Sequence, residues 1–358
     1  MDCHCKMSPC YLKASQDSKL HEVCFIWHCL KRETNHAVAM KVAVFGASGM
    51  VGSAFCQAAV HRGFVTDGFS HRHPIKVKGM ASVSQVDLRD LNVLERPLLD
   101  GWPQVIVNAA AISEPDRVKE DAAISRVINI DLPHRLAEIS NHVGARFLHL
   151  STDLVFDGSA PPYRSTDRPN PLSLYGKQKL EAEEAILNCC PENVVVLRIT
   201  IVNGNSPSGR RSVHEKLLRA IAKGRRPTLF SDEFRQPCSC ANVADALVEL
   251  CQRPNLNGLF HWGGVERLSR FELGRSILQR FALPEKFVES GSRRAFPGED
   301  ERPADLAFNL DPLEGKLNTR PSTLAEQLEE MSIPDDLYDW FKEHTADTSC
   351  FLRKFSIN

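Results

Sequence analysis

A doubly wound, parallel α/β sheet with a smaller C-terminal lobe is the fold class this sequence predicts. Three observations lead to it. Short β-branched runs alternate with helical stretches through residue 200. A glycine-rich turn joins the first such run to the first helix. Beyond residue 200 the alternation gives way to helices separated by polar loops. Strands that alternate with helices assemble into parallel sheets covered on both faces. At 358 residues the chain can bury a sizeable core in one large or two modest domains.

The first strand is Lys41–Phe45 (KVAVF), bounded at once by Gly46. Gly46, Gly49 and Gly52 follow in G-x-x-G-x-x-G spacing, with Ala47, Ser48, Met50 and Val51 between them, and a helix pattern then runs to about His61. This strand, glycine loop and helix succession is the context that gives the motif meaning. The first glycine permits the tight turn, the second lets backbone approach a pyrophosphate, and the third lets helix pack on strand. The helix N-terminus then faces the phosphates. Ser48, Met50 and Val51 are therefore candidate cofactor contacts along with the three glycines.

A second strand is expected over residues 64–70. An NAD-specific site wants an acidic residue at its end. His71, Arg72 and His73 stand there instead. A cationic cluster suits a 2′-phosphate, and Arg72 is the best candidate by charge and fork geometry. NADP(H) is thus the expected cofactor, with NAD(H) the alternative. Residues 83–88 (VSQVDL) read as a third strand, placing Asp87 and Leu88 near the adenine. Val105–Asn108 is the fourth, and Ala109 and Ala110 after it leave room for the cofactor at the switch point of the sheet. One long amphipathic helix is expected over about 122–143. Asn129 lies within it, either exposed or bridging to the backbone after strand four.

The fifth strand, residues 147–151, leads to Thr152. A Pro-, Gly-, Ser- and Asp-rich loop follows over 157–174, and a helix starts near Ser173. Tyr175 and Lys179 are four residues apart, so one helical turn stacks them on the same face. A hydroxyl, a phenol and an ammonium beside a nucleotide site make a proton-transfer device, with Thr152, Tyr175 and Lys179 as the catalytic candidates. An ammonium near a phenol favours phenolate and lowers its pKa from about 10. Val194–Ile199 is the sixth strand.

Past residue 200, a polar loop over 203–211 reads as a mobile cover. Helices are expected near 212–223, 242–252, 269–282, 322–331 and 335–344, with strands at 228–231 and Gly258–Trp262. Asp153, Asn203, Arg235 and Arg302 are candidate substrate contacts; the two arginines sit in Arg-Gln-Pro and Arg-Pro loops. The expected division is a disordered extension (1–39), a Rossmann-type dinucleotide domain (40–200), a substrate lobe (201–331) and a C-terminal helix and tail (332–358). Met40 abuts the first strand as a native start would. Cys3, Cys5, Cys10, Cys24, His28 and Cys29 fit no common zinc spacing, so no metal site is expected.

The net charge of −1 gives no electrostatic reason to expect nucleic acid or a membrane surface as partner. No apolar run approaches the roughly 18 residues of a membrane helix, and charged residues near the start interrupt any signal-peptide core. The 12 cysteines read as reduced thiols in a cytoplasmic protein.

GASGMVG at 46–52, STDLVFDG at 151–158, PLSLYGKQKLEAE at 171–183, RQP at 235–237 and LFHWGG at 259–264 together resemble the extended short-chain dehydrogenase/reductases. More narrowly the chain resembles the dTDP-4-dehydrorhamnose reductase family. That resemblance implies an NADP-dependent reductase of a nucleotide-linked 4-keto-6-deoxy sugar. Thr152 would hydrogen-bond the reacting oxygen, Tyr175 would exchange its proton, and Lys179 would hold the nicotinamide ribose. It implies a sugar-nucleotide substrate and allows a homodimer. The same segments also resemble the regulatory beta subunit of methionine adenosyltransferase. That alternative implies an NADP-binding regulator whose partner is a methionine adenosyltransferase catalytic subunit.

Overall fold

A computed structural model describes residues 39–295 and 302–347. The expectations for residues 1–38, the cysteine-rich lead among them, lie outside the described residues. Strand β1 is Lys41–Phe45. Its alternate side chains reach opposite cores: Val42 and Val44 join one, Ala43 and Phe45 the other. A strand covered on both faces is the mark of a doubly wound sheet. β2 (Val65–Ser70), β3 (Ser82–Gln85), β4 (Val105–Asn108), β5 (Arg146–Thr152), β6 (Val194–Ile199) and β7 (Gly258–Trp262) complete it. The order is β7-β6-β5-β4-β1-β2-β3, with every pair parallel. The chain winds outward in both directions from β1 and β4, so the C-terminal ends of these two strands frame a crevice.

The helices that position the site are α1 (Met50–His61), α2 (Leu132–Val143), α3 (Leu174–Cys189), α4 (Val213–Ala222), α5 (Cys240–Cys251), α6 (Arg270–Arg280) and α7 (Leu324–Glu330). On one face, Phe55, Cys56 and Ala59 of α1 pack with Val243, Leu247 and Cys251 of α5. On the other, Leu132, Leu136 and Val143 of α2 meet Ile186 of α3 and the sheet. Each fully buried side chain of this kind contributes about 1.5–3 kcal/mol, so the two apolar faces fix the sheet and, with it, the strand ends. α4, α6 and a last helix, Tyr338–His344, build a third core from Leu217, Leu273, Ile277, Phe281 and Phe341.

Three expectations are corrected. The long helix over 122–143 is broken into Ala122–Arg126, a π-helical turn Val127–Asp131, and α2. Pro133 has no N–H to give to residue 129, so the regular ladder cannot pass through. The third strand stops at Gln85 rather than 88. Asp87 turns out of the ladder and receives the Arg89 backbone N–H at 3.0 Å and its guanidinium. Finally, β7 lies beyond residue 200 yet belongs to the main sheet, and α5, also beyond it, packs on the sheet's face. β7 pairs with β6 from Gly258↔Val195 to Trp262↔Ile199. The six described cysteines are all free thiols.

Candidate active site

The glycine turn sits where β1 ends. Gly46 has φ +77, a backbone conformation that favours glycine, and a Cβ there would lie 2.6 Å from the Ala110 nitrogen. A Cβ on Gly52 would lie 2.2 Å from the Gly46 carbonyl oxygen. The turn is thus closed against the Ala109–Ala110 backbone, and α1 is drawn in behind it. Gly49 N-caps α1 without a side-chain cap, and no acidic residue lies in the first turn. The first N–H groups of a helix have no partner within it, so Met50, Val51 and Gly52 offer theirs at the crevice. Ser48 is half-buried in the same turn. This cradle fits a pyrophosphate.

At the end of β2, Arg72 is exposed and makes no hydrogen bond or ion pair among the described residues. His71 lies 3.4 Å from Asp87. Arg89 holds the Asp87 carboxyl well below the ordinary range. Asp87 is therefore already engaged at its place beyond β3, and the Leu88 side chain is buried in the core with Phe45 and Phe69. Any adenine contact at Leu88 falls to its backbone.

Thr152, Tyr175 and Lys179 are all buried at the end of β5. Thr152 accepts from the Leu154 N–H at 3.2 Å, capping a short turn over Asp153–Val155. Ser173 caps α3 through the Gly176 N–H at 3.1 Å. A Cβ on Gly176 would lie 2.2 Å from the Leu154 carbonyl oxygen. This glycine lets the first turn of α3, which carries Tyr175, press onto the turn that follows Thr152. Lys179 Nζ donates to the Leu150 carbonyl at 2.7 Å and lies 2.7 Å from His149 Nε2.

The electrostatics differ from the sequence-based expectation. Burial and the nearby Asp153 charge push the Tyr175 phenol well above its ordinary value. Lys179 does not offset this: its amine is turned onto β5, and burial lowers its pKa to about 7. Tyr175 makes no hydrogen bond among the described residues. In this state the phenol holds its proton and is a donor. Burial also raises Asp153 to about 6, against the pull of Arg235, and Thr152 donates to its Oδ1 at 3.2 Å.

Asn129 is buried in the π-helical turn and bridges to the segment after β4. Its Oδ1 accepts from Ile112 N–H at 2.9 Å, and its Nδ2 donates to the Ile112 carbonyl at 3.0 Å. Nδ2 also reaches Gln178 Oε1 at 2.8 Å, tying α3 to the turn. Asn129 therefore holds the helix that carries Tyr175. Its side chain is 1% exposed, which leaves it a positioning rather than a contact role.

The substrate candidates divide. Arg235 is buried, 3.1 Å from Glu233, and donates to the Phe234 and Pro303 carbonyls. Arg302 is exposed, with its guanidinium 5.6 Å from the Phe230 ring centre. Asn203 is corrected: it is fully buried and donates to Gln327 Oε1 at 2.9 Å, so it ties the lobe together rather than facing a ligand. Sequence reading missed Arg270, whose buried Nη1 has no hydrogen-bond partner among the described residues, and the same holds for Glu233 Oε2. It also missed His149, Asn108, and the buried Arg198–Glu183 pair at 2.6 Å beneath the site. The polar letters inside the apolar strand runs HLST and VVVLRI were the available signal.

A parallel sheet in this order, with a tyrosine and a lysine of one helix brought against the end of its fifth strand, is the build of the extended short-chain dehydrogenase/reductases. Within that class the chain belongs to the RmlD substrate binding domain family, whose model matches residues 40–334. It is 30% identical over 283 residues to methionine adenosyltransferase 2 subunit beta of Bos taurus, covering 76% of this chain and 81% of that one. It is 26% identical over 294 residues to a probable low-salt glycan biosynthesis reductase, Agl14, of Haloferax volcanii, covering 81% and 96%. Among solved structures it resembles a dTDP-4-dehydrorhamnose reductase of Bacillus anthracis in complex with NADP. That likeness has TM-score 0.72 at 20% identity and covers 82% of this chain and 98% of that one. A hypothetical dTDP-4-dehydrorhamnose reductase from Sulfolobus tokodaii matches at TM-score 0.71 and 25% identity, covering 82% and 100%.

Proposed function

We propose that this chain binds NADP(H) at the β1/β4 crevice and reduces the keto group of a nucleotide-linked 4-keto-6-deoxy sugar. The observation that carries the reading is that Thr152 at the end of β5 and Tyr175 and Lys179 on the first turns of α3 are all buried, with Lys179 Nζ on the Leu150 carbonyl and α3 pressed onto the turn after Thr152, two strands from the glycine cradle. The Gly46–Gly52 turn and the N–H groups of Met50 and Val51 hold the pyrophosphate. Arg72 takes the 2′-phosphate, and Ala109 and Ala110 leave room beside the turn. The cofactor, when bound, supplies the hydride. Thr152 hydrogen-bonds the carbonyl oxygen and Tyr175 gives it a proton. A phenol that burial keeps protonated suits the reductive direction. Lys179 holds the ribose. Arg235, Arg270 and Arg302 supply positive charge toward the substrate side, where a nucleotide diphosphate needs it.

A second reading has the chain as an NADP-binding regulatory subunit of a methionine adenosyltransferase. Two observations favour it: the identity to subunits of that name, and a Lys179 amine that faces the sheet rather than the phenol. Oxidation of NADPH followed with dTDP-4-keto-6-deoxyhexose separates the two. Turnover that is lost in Tyr175→Phe supports the reductase. Tight NADPH binding without turnover, together with a stable complex with a methionine adenosyltransferase, supports the regulator.

A further inference from the structure

His149 lies within β5, 1% exposed, and two neighbours determine which ring nitrogen carries its hydrogen. The Ala110 N–H donates to Asn108 Oδ1 at 3.0 Å, so the Asn108 amide presents its Nδ2 to the ring, 3.2 Å from Nδ1. An amide nitrogen only donates. Nδ1 is therefore the bare acceptor, and the neutral imidazole keeps its hydrogen on Nε2. A second hydrogen on Nδ1 would oppose the Asn108 amide, and burial pushes the ring well below its ordinary pKa.

The Nε2 hydrogen points at Lys179 Nζ, 2.7 Å away. An amine nitrogen accepts only when it is uncharged. As –NH2, Lys179 gives one N–H to the Leu150 carbonyl, takes the His149 hydrogen on its lone pair, and keeps one N–H over. As –NH3+ it would set donor against donor at His149. The other titratable groups around it do not replace that partner. Tyr175 is one turn back on α3 and Glu183 one turn on. Glu183 is already engaged by Arg198 of β6 and by the Ser151 hydroxyl of β5. Asp153 acts on Tyr175 from beyond the strand end. Gln178, on the same helix, is neutral and bound to Asn129 and Ser125.

We infer that His149 is a positioning residue that holds the Lys179 amine uncharged against β5, and that uptake of one proton from solvent frees the resulting ammonium for the dinucleotide. The inference rests on the cofactor reading above and adds to it a proton-linked latch. Binding of NADPH then draws a proton onto Lys179. Asn108 belongs to the device, because its amide dictates the tautomer.

Calorimetric titration of the full chain with NADPH, in two buffers of different ionisation enthalpy, reads the proton count directly. The wild type should take up a proton fraction that grows as pH rises through neutrality, with Kd increasing up to about tenfold per pH unit above the amine pKa. In His149→Gln an amide oxygen can face the ammonium. In Asn108→Asp a carboxylate accepts from Nδ1–H and leaves Nε2 bare. Both variants should lose most of the proton uptake and flatten the pH dependence. Equal proton uptake in wild type and both variants, or none in the wild type, would overturn the latch. Nitrogen NMR of 15N-histidine-labelled, cofactor-free protein tests it without ligand. His149 should show a bare Nδ1 and a protonated Nε2 between about pH 6 and 9, and the opposite tautomer contradicts the inference. Failure of NADPH to bind at any pH would refute the cofactor reading, whereas the NMR result bears on His149 alone.

Discussion

Asp153 is buried within reach of Thr152 and Arg235, and its carboxyl is raised from 3.8 to about 6. A raised carboxyl pKa means the folded chain binds its proton more tightly than the unfolded chain. Stability from this group is therefore greatest at acid pH, falls as pH rises from about 4 to about 6, and stays level above. Two pKa units correspond to about 3 kcal/mol. Asp153→Asn keeps a polar side chain without the charge. It should be more stable than the wild type by about 1–3 kcal/mol above pH 6, with the gap closing toward pH 4; denaturant melts at both pH values check this. Arg72 is the exposed cation at the end of β2. Replacing it by alanine should weaken NADPH binding by about tenfold, the cost of about one charge-assisted bond, and leave NADH nearly unchanged. Equal losses for the two cofactors would remove the 2′-phosphate assignment.

At the scale of elements, the site depends on how closely α3 meets the turn after β5. Gly176 makes that approach feasible, since any Cβ would fall on the Leu154 carbonyl oxygen. Gly176→Ala should cost about 1–3 kcal/mol by overpacking and depress turnover further than stability alone explains, because Tyr175 is its neighbour. Thermal melts beside kinetics at a temperature where the variant is folded measure the two effects. The alternation of strands and helices to residue 200 was legible from hydrophobic runs, as were the glycine turn and the Tyr175–Lys179 spacing. The π-helical turn was not: Pro133 interrupts the ladder, but a proline can equally kink or end a helix, and the Asn129–Ile112 pairing that accompanies the turn spans 17 residues. Nor could a linear pattern foresee that Lys179 would choose His149 over the phenol. That choice depends on which side of a strand the imidazole lies and on an amide turned by Ala110.

For the molecule as a whole, one sheet carries both halves of the proposed chemistry. Its glycine turn follows β1, its proton donors follow β5, and its last strand comes from Gly258–Trp262, past the boundary that the change of pattern at residue 200 suggested. That boundary misled because the alternation lapses through the lobe before α5 and β7 return to the sheet. Asn203 misled for a related reason: a polar residue in a polar loop reads as exposed, yet it is buried by Gln327 of α7. The hydrogen bonds of the first strand begin at Met40, whose carbonyl accepts from Val65 at 2.9 Å. Removal of residues 1–39 should therefore leave the melting temperature and the NADPH affinity unchanged, and a fall in either would show that the lead contributes to the fold. On the proposed function, Tyr175 and Lys179 serve hydride transfer at this crevice. Incubation with NADPH deuterated at the transferring position and dTDP-4-keto-6-deoxyhexose, followed by mass spectrometry of the sugar, tests it most directly. One deuterium is expected in the sugar product with the wild type and none with Tyr175→Phe. An unlabelled, unreduced sugar from wild-type protein saturated with the cofactor would contradict it.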